Sequence, residues 1–445
     1  MRAMQAPTVP NRPLPPNDAL RIELHNEVHA RPPTRITAPA LVVLVAVSHD
    51  GVSREQSCEH MRQLPGQQAL QADDFAGNFL RLNLPSATLT WERHTEFTRY
   101  TLVQPLPAAT TLARCDPDAL LQAALPPGWL ADIGGRTFAA VQLVVLQGDP
   151  AQPQDTLAEA RDWLGEHTVV ASVTGGQSNG LVATDFMLRD NGFERMVVIT
   201  APDTTDTRAG RIAQRVLEIE TYRMMALRGL PVVKTLGPLL TSNERQLAAI
   251  TAQMENKSAT DEDLLDTLVA LAAGVERVTA EHSYRFAATA AYDVLVGQRI
   301  AELRERAIPG TQTIGEFMQR RLSPAIATVA ATGERLASLS ERISRTSALL
   351  RTRVDIATET QNQQLLEKLT RGQALQLRLQ ATVEGLSIAA ISYYVVSLLY
   401  YVIKALKSGG APINAEVATG AAIPLVLGAV WYTTRRIHHK LRASE

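Results

Sequence analysis

The sequence GLSIAAISYYVVSLLYYVI at residues 385–403, followed by VATGAAIPLVLGAVWYTT at residues 417–434, decides the architecture of this chain. Neither stretch contains a charged residue. As a helix rising about 1.5 Å per residue, the first stretch reaches ~28 Å, about the thickness of a bilayer's hydrocarbon core. The second stretch is one residue shorter. Residues 384–434 are therefore predicted to form a two-helix transmembrane hairpin, with a buried hairpin in a soluble core as the alternative.

The charges that flank the hairpin predict its orientation. The tail at residues 435–445 is rich in arginine and lysine, whereas the connector between the two stretches carries only Lys404 and Lys407. The positive-inside bias therefore places both termini in the cytoplasm and the connector outside, which makes 435–445 a basic cytoplasmic tail. The lipid bilayer is the first partner that the sequence predicts.

Composition excludes some other roles. The net charge is −1 and charged residues make up 20% of the chain, so no overall field favours nucleic acid, and none is expected as a partner. Cys58 and Cys115 have no metal-site spacing and are expected to be buried thiols in a reducing compartment. Residues 1–18 are predicted to be a Pro-rich, flexible leader without the apolar segment of a secretory signal, so the hairpin itself is expected to direct the chain to the membrane.

Residues 19–205 carry strand and helix patterns in alternation, and the Asn191-Gly192 pair predicts a tight hairpin turn. We expect an α/β cytosolic domain with a mixed, mostly antiparallel sheet, which makes the fold class α+β. Its strands are predicted at 40–47, 79–84, 87–94, 96–103, 137–146, 169–173, 181–188 and 196–200, and its helices at 19–29, 52–72, 116–124 and 156–164.

Helix-forming residues dominate after residue 206. Residues 206–323 are predicted to be a helical domain, and 324–383 a long stalk helix that enters the first span without a break, because no proline follows Pro324 there. A stalk of this length is typical of a coiled coil, so we expect a homo-oligomer. The helices before the stalk are predicted at 208–227, 244–255, 261–280, 281–307 and 313–321.

His25 and His29 lie four residues apart in a predicted helix and could share a metal ion. A zinc protease of the HExxH type needs glutamate directly after the first histidine, and this chain has Asn26 there. The pair remains a weak metal-site hypothesis beside a plain polar helix end.

The loop at residues 174–180 (TGGQSNG) is rich in glycine and lies between two predicted strands. A Walker-type phosphate loop opens a helix with GK[ST], and this loop does not. Its glycines are interpreted as turn residues, with anion or nucleotide binding as the alternative.

Strand alternation predicts that Glu92, His94 and Glu96 share one face of the sheet. Such a set could hold a cation or perform acid–base chemistry. An exposed polar face gives the same pattern, and this is the interpretation we favour.

Two helices carry dense mixed charge, which is typical of ion pairs within or between helices. The first contains Glu218, Glu220 and Arg223. The second is the stalk, with Arg345, Arg351, Arg353 and Asp355, where such pairs would set the register of a self-associating helix.

Five residues of the predicted spans are candidates for packing or for a pore. Gly420, Pro424 and Gly428 recur every four residues, so one face of the second span is small enough for a close helix contact. Tyr393 and Tyr394 lie inside the first span, where a hydroxyl needs a polar partner or a polar path.

Several stretches resemble a bacterial family of predicted membrane-anchored proteins of unknown function. They are HNEVHARP at 25–32, WERHTEF at 91–97, EIETYRMMA at 218–226, LRTRVD at 350–355 and VEGLSIAAISYYVV at 383–396. The resemblance extends from about residue 20 to 440. It implies the bacterial inner (plasma) membrane and supplies no catalytic residue.

The layout also resembles CorA-type magnesium transporters: an α/β domain, a long helix that enters the first span, a short connector and a basic tail. Those transporters carry Gly-Met-Asn at the end of the first span, where this chain has KALKSGG at 404–410. Positive charge at that mouth would repel a divalent cation.

We expect a non-enzymatic protein of unknown molecular function, tethered by the hairpin and self-associating. The alternatives are a CorA-like homo-oligomeric ion channel or transporter, and a membrane-tethered enzyme or metal-binding protein. No catalytic residue or cofactor is assigned, and the sequence does not identify an ion or small-molecule ligand.

Overall fold

The computed structural model describes residues 18–21, 24, 35–165, 168–176, 180–408 and 414–442. The chain forms two compact units. The first, here called the body, comprises residues 1–256 and 267–344, and the second, the C-terminal unit, comprises 257–266 and 345–445.

One nine-stranded sheet lies in the described part of the body, with the strand order β2-β3-β4-β1-β5-β8-β7-β6-β9. Neighbouring strands are antiparallel except for β5 and β8, so the predicted mixed, mostly antiparallel sheet is confirmed. The strands are β1 (Ala40–Ser48), β2 (Phe79–Asn83), β3 (Thr88–Arg93), β4 (Phe97–Pro105), β5 (Arg136–Gln147), β6 (Val170–Thr174), β7 (Gly180–Leu188), β8 (Glu194–Thr200) and β9 (Arg306–Ala307).

The sequence of strand β1, ALVVLVAVS, is apolar without alternation, and the position of the strand within the sheet explains why. Leu41, Val43 and Val45 belong to the hydrophobic core on one side of the sheet. Val42 and Leu44 belong to the core on the other side. A strand that is buried on both faces needs apolar residues at every position.

Helices cover both faces of this sheet. The helices are α1 (Arg54–Arg62), α2 (Pro117–Ala124), α3 (Pro153–Leu164), α4 (Asp206–Leu227), α5 (Gly229–Asn256), α6 (Asp261–Leu303), α7 (Ile314–Arg321), α8 (Ser323–Ser408) and α9 (Ala415–Arg442), with 3-10 turns at Ala72–Phe75 and Leu112–Arg114. Cys58 of α1 and Leu157 of α3 pack into the first core. Ile212 and Val216 of α4 pack into the second.

Four helix predictions are wrong in their bounds. The helix predicted at 52–72 ends at Arg62, because Pro65-Gly66 begins a turn in which Gly66 has a φ of +77°. Helix α5 begins at Gly229 rather than at residue 244, since the first turn of a helix tolerates Pro231. Helix α6 runs without the predicted interruption at 280–281. The domain boundary predicted at residue 205 stays a prediction, although α4, which follows it, shares a core with the sheet.

Helix α8 is continuous over 86 residues and contains both the predicted stalk and the first apolar stretch. The predicted run of stalk into span is therefore confirmed at the level of secondary structure. Helix α9 contains the second apolar stretch, with Pro424 inside it. Within the C-terminal unit, Arg353 Nε lies 3.1 Å from Asp261 Oδ2, which is an ion pair of the kind predicted for the stalk.

Candidate functional site

The two apolar helices expose their side chains. Among the described residues, two helices are long and apolar enough to cross a membrane: the α7–α8 run Ile314–Ser408, and Ala415–Arg436 of α9. Only 6% of the most apolar window of each is buried. A core helix of a soluble protein would bury most of such a window, so these helices present apolar surface outward.

The five candidate residues of the spans have few neighbours. Tyr393 and Tyr394 are 70% and 68% exposed, and their rings make an edge contact with centroids 5.9 Å apart. A Cβ placed on Gly420 or Gly428 would meet no heavy atom within 4 Å. The small-residue face of α9, which also includes Pro424, therefore has room for another helix, and its packing role stays a prediction.

The predicted metal pair, His25 and His29, lies outside the described residues. In the described ranges no group of three or more histidine, cysteine, aspartate or glutamate side chains is placed to hold a metal ion.

Two of the distinctive sequence stretches meet in a buried ionic network, defined here as Glu92, Arg99, Glu218 and Arg299. Arg99 Nε donates to Glu92 Oε2 at 2.7 Å. Arg99 Nη1 lies 3.8 Å from Glu218 Oε1, and Arg299 Nε donates to Glu218 Oε2. The side chains of Glu92, Arg99 and Glu218 are only 6–7% exposed.

Sheet register and helix packing bring these groups together. Glu92 of β3 stands directly opposite Arg99 of β4 in the antiparallel ladder. Helix α4 covers that face and contributes Glu218, which also accepts a hydrogen bond from Gln214 Nε2 at 2.8 Å. Arg299 lies on α6. The network therefore ties the β3–β4 hairpin to two helices of the body.

The electrostatics favour the charged form of Arg99. Burial by itself lowers the pKa of Arg99, but the carboxylates of Glu92 and Glu218 outweigh burial and raise it. The cavity beside Glu92 and Arg99 holds about 30 Å³, which is the size of one water molecule. The network links β3 and β4 to α4 and α6.

A second buried cluster lies between β8 and α4. Arg223 Nη2 is 3.1 Å from Glu194 Oε1 and 2.6 Å from Glu220 Oε1. Burial, followed by the charge of Glu220, raises the pKa of Glu194 to about 8. Glu194 therefore holds a proton at neutral pH, which relieves the repulsion between two carboxylates that share one arginine.

The hypothesis of a shared Glu92, His94 and Glu96 site is not supported. Glu92 pairs with Arg99, Glu96 with Arg285 of α6, and the His94 ring stacks on Phe97 with centroids 4.4 Å apart. The favoured alternative, an exposed polar face, is also wrong, because the Glu92 side chain is 6% exposed and that of Glu96 is 12% exposed. Strand β4 supplies the partners of Glu92 and His94, and α6 supplies the partner of Glu96.

The ion pairs predicted for α4 are confirmed as Glu220–Arg223 within the helix and Glu218–Arg299 between helices. Sequence reasoning missed Arg99 and Glu194. The hairpin register would have found Arg99, since it stands opposite Glu92 across the turn. No sequence signal indicated Glu194.

A polar cleft on the opposite face of the sheet was also missed. It holds about 280 Å³ and is lined in part by Ser57, His60, Tyr100 and Asp132. The His60 ring stacks on Trp129 at 4.3 Å, and burial lowers the pKa of His60, so its imidazole is neutral at pH 7. None of these residues lies in a recognisable motif.

Comparison with known proteins places the chain in a family. None of the curated proteins is significantly similar to it in sequence. One family model, described as "Protein of unknown function (DUF3422)", matches residues 16–441. Since this match spans nearly the whole chain, the protein belongs to that family of unknown function.

Proposed function

We propose that this protein is a bilayer-anchored scaffold of the bacterial inner membrane whose body is held in the cytoplasm by a hairpin of residues 385–403 and 417–434. The observation that carries the proposal is the exposure of apolar side chains along both stretches. Leu398 is 66% exposed and Leu425 is 75% exposed. Lipid would remove this surface from water at roughly 25 cal/mol per Å².

The ends of the two helices support the same position. Lys404 Nζ lies 5.9 Å from the Tyr400 ring centroid, and Arg435 Cζ lies 5.0 Å from that of Trp431. Aromatic residues beside basic residues are typical of the interface between hydrocarbon and water. With the basic tail, they support cytoplasmic termini and an external connector.

Membrane fractionation tests the anchor. The full-length protein should remain in the membrane pellet after washing with alkaline carbonate and should enter solution only in detergent. Release by carbonate alone would contradict a spanning hairpin and would indicate a peripheral protein.

We also propose that the stalk part of α8 self-associates. Leu365, Leu369, Leu379 and Val383 are each more than half exposed and follow a 4–3 spacing that is broken only at Gly372 and Gln376. A stripe with this spacing is typical of a coiled-coil seam. The mass in detergent, measured by light scattering, should be a multiple of 48.4 kDa, and Leu369→Glu with Leu379→Glu should lower it. A monomeric wild type would refute self-association.

A non-enzymatic role is part of this proposal. The buried carboxylates of the ionic network are paired with arginine, and the cavity beside Glu92 has room for about one water molecule. Nucleic acid is not expected as a partner, since the net charge is −1.

The continuous α8 also favours a second candidate, a CorA-like channel or transporter, because one helix runs from the cytosolic stalk into the span. Ion flux into proteoliposomes tests it. A channel lined by Tyr393 and Tyr394 should change its flux in the Tyr393→Phe and Tyr394→Phe variants. Absence of flux would refute the channel candidate, and the membrane anchor would stand as the proposed function.

A further inference from the structure

A cleft in the body gathers four arginines beside the glycine-rich loop that follows β6. It holds about 290 Å³ and is formed by three segments: Thr174–Gly176, the first turns of α4 and the end of α6. Its basic side chains are Arg208, Arg211, Arg215 and Arg304. The cleft adjoins the buried ionic network through its residue Glu302, which pairs with Arg299.

From this arrangement we infer that the cleft is a binding site for a small soluble anion bearing a diphosphate group. The inference is independent of membrane anchoring, because every residue that carries it belongs to the body.

The charge balance of the cleft is strongly positive. Its one carboxylate, Glu302, already pairs with Arg215 at 3.0 Å and with Arg299 at 2.9 Å. In the described part of the chain, no carboxylate lies within ion-pair distance of Arg208, Arg211 or Arg304. Guanidinium groups gathered without counter-charges repel each other, and a bound anion removes that cost.

Helix α4 directs three of these arginines to one side. Arg208, Arg211 and Arg215 follow a spacing of three and four residues, which places them along one face. Arg208 lies in the first turn, where the helix dipole is positive and basic residues are normally disfavoured. The same dipole strengthens the attraction of an anion.

Gly175 and Gly176, which follow β6, complete the cleft. Gly175 has a φ of +82°, and its N–H donates to the Leu303 carbonyl oxygen at 2.9 Å, which ties the loop to the end of α6. A Cβ on Gly176 would meet no atom within 4 Å, so this part of the loop leaves open space. The earlier interpretation of the glycines as turn residues is compatible with this role.

Arg304 ends α6 at a position that suits glycine better. Its φ is +49°, the left-handed region in which a helix commonly ends with glycine or asparagine. The chain nevertheless carries a guanidinium there, which lines the cleft.

Size and chemistry together select the ligand class. A volume of about 290 Å³ is roughly that of ten water molecules at ~30 Å³ each, more than a single phosphate fills. The planar guanidinium donates two parallel hydrogen bonds to phosphoryl oxygens, and several such groups match a diphosphate better than a monovalent anion.

The test is a calorimetric titration of full-length protein in a neutral detergent with inorganic pyrophosphate, at low salt. We expect saturable binding that weakens as salt is added, because the contacts are ionic. The Arg208→Gln/Arg211→Gln variant should lose at least tenfold in affinity. The matched control is Arg320→Gln/Arg321→Gln, which removes the same charge from exposed residues outside the cleft and should bind as the wild type does.

Arg304→Gly separates binding from folding. It removes a guanidinium and relieves the backbone, so affinity for pyrophosphate should fall several-fold while the thermal midpoint stays the same or rises. A structural role alone would give the reverse, an unchanged affinity with a lower midpoint.

Two results would overturn the inference. The first is the absence of saturable pyrophosphate binding, or an equal loss of affinity in the cleft and control variants. The second is saturable binding of short-chain phosphatidic acid without binding of pyrophosphate, since this would identify the phosphate as that of a lipid headgroup.

Discussion

At the scale of single residues, substitution of Arg99 is expected to lower the stability of the protein. It is buried and lies between two carboxylates, Glu92 and Glu218. Arg99→Met would leave Glu92 charged and without its cation, and breaking a buried pair in this way costs about 3–5 kcal/mol. We expect a loss of this size in the free energy of unfolding, measured in detergent by chemical denaturation.

A double variant provides the control for that prediction. Arg99→Met combined with Glu92→Gln removes the uncompensated charge, so its loss should be smaller than the sum of the two single losses. Additive losses would mean that Arg99 and Glu92 act independently and that the network is not a unit.

Glu194 gives a prediction on pH. Its pKa in the folded protein, about 8, lies above the 4.5 of an ordinary glutamate. The contribution of protonated Glu194 to the free energy of unfolding is therefore fully present below pH 4.5 and is lost as the pH rises to about 8. The Glu194→Gln variant has no carboxyl group that can ionise at this position. The difference between its thermal midpoint and that of the wild type should therefore shift in favour of the variant as the pH rises from 6 to 8.5.

The exposed Glu334→Gln serves as the matched control for this effect and should track the wild type across the same range. Parallel midpoint curves for Glu194→Gln and the wild type would show that Glu194 does not titrate there.

Individual residues were predictable only where their partners are local. The Glu220–Arg223 pair lies within one turn of α4, so the sequence predicts it. Glu218 and Arg299 are 81 residues apart, and no periodicity indicates that α4 and α6 lie side by side. Burial of Glu92 was missed for the same reason, since it depends on helices that come later in the chain.

At the scale of elements, the start of β5 depends on Gly135. This residue has a φ of +111°, and a Cβ there would come within 2.2 Å of the Ser48 carbonyl oxygen at the end of β1. Gly192, in the β7–β8 hairpin, has a φ of +84° but open space around it. Gly192→Ala should therefore cost roughly 1 kcal/mol of unfolding free energy from backbone strain alone, and Gly135→Ala more than about 3 kcal/mol. Equal losses would refute the close approach of β1 and β5.

The apolar part of α8 gives another prediction at this scale. Leu398 and Leu366 are 66% and 62% exposed on the same helix, but only Leu398 lies in the proposed span. An arginine at the centre of a span costs about 2.5–3.5 kcal/mol of insertion free energy. Leu398→Arg should therefore reduce the fraction that resists carbonate extraction, while Leu366→Arg should leave it unchanged.

Elements with strong local signals were predicted well. The β7–β8 hairpin follows from its Asn-Gly turn, and α8 from its lack of proline. The start of α5 and the unbroken α6 do not follow from local signals, since a proline in the first turn of one helix resembles a proline that ends the helix before it. Strand β9 has two residues, too few to show the alternation of a strand, and it forms by pairing with the edge of β6.

At the scale of the whole molecule, the predicted resemblance to a family of unknown function that spans nearly the whole chain is confirmed. The α+β class and the two candidate spans are also borne out. The arginine-lined cleft was beyond sequence reasoning, because three segments that are distant along the chain form it. The resemblance to CorA-type transporters stays a prediction of layout.

Membrane topology tests the central claim most directly. Cys58 and Cys115 are buried, so a cysteine introduced at a surface position is the reactive one. A maleimide that does not cross membranes should label Ala411→Cys in the connector of intact spheroplasts, and should label Ser444→Cys in the tail only after lysis. Labelling of both positions, or of neither, in intact spheroplasts would contradict a two-span hairpin with cytoplasmic ends.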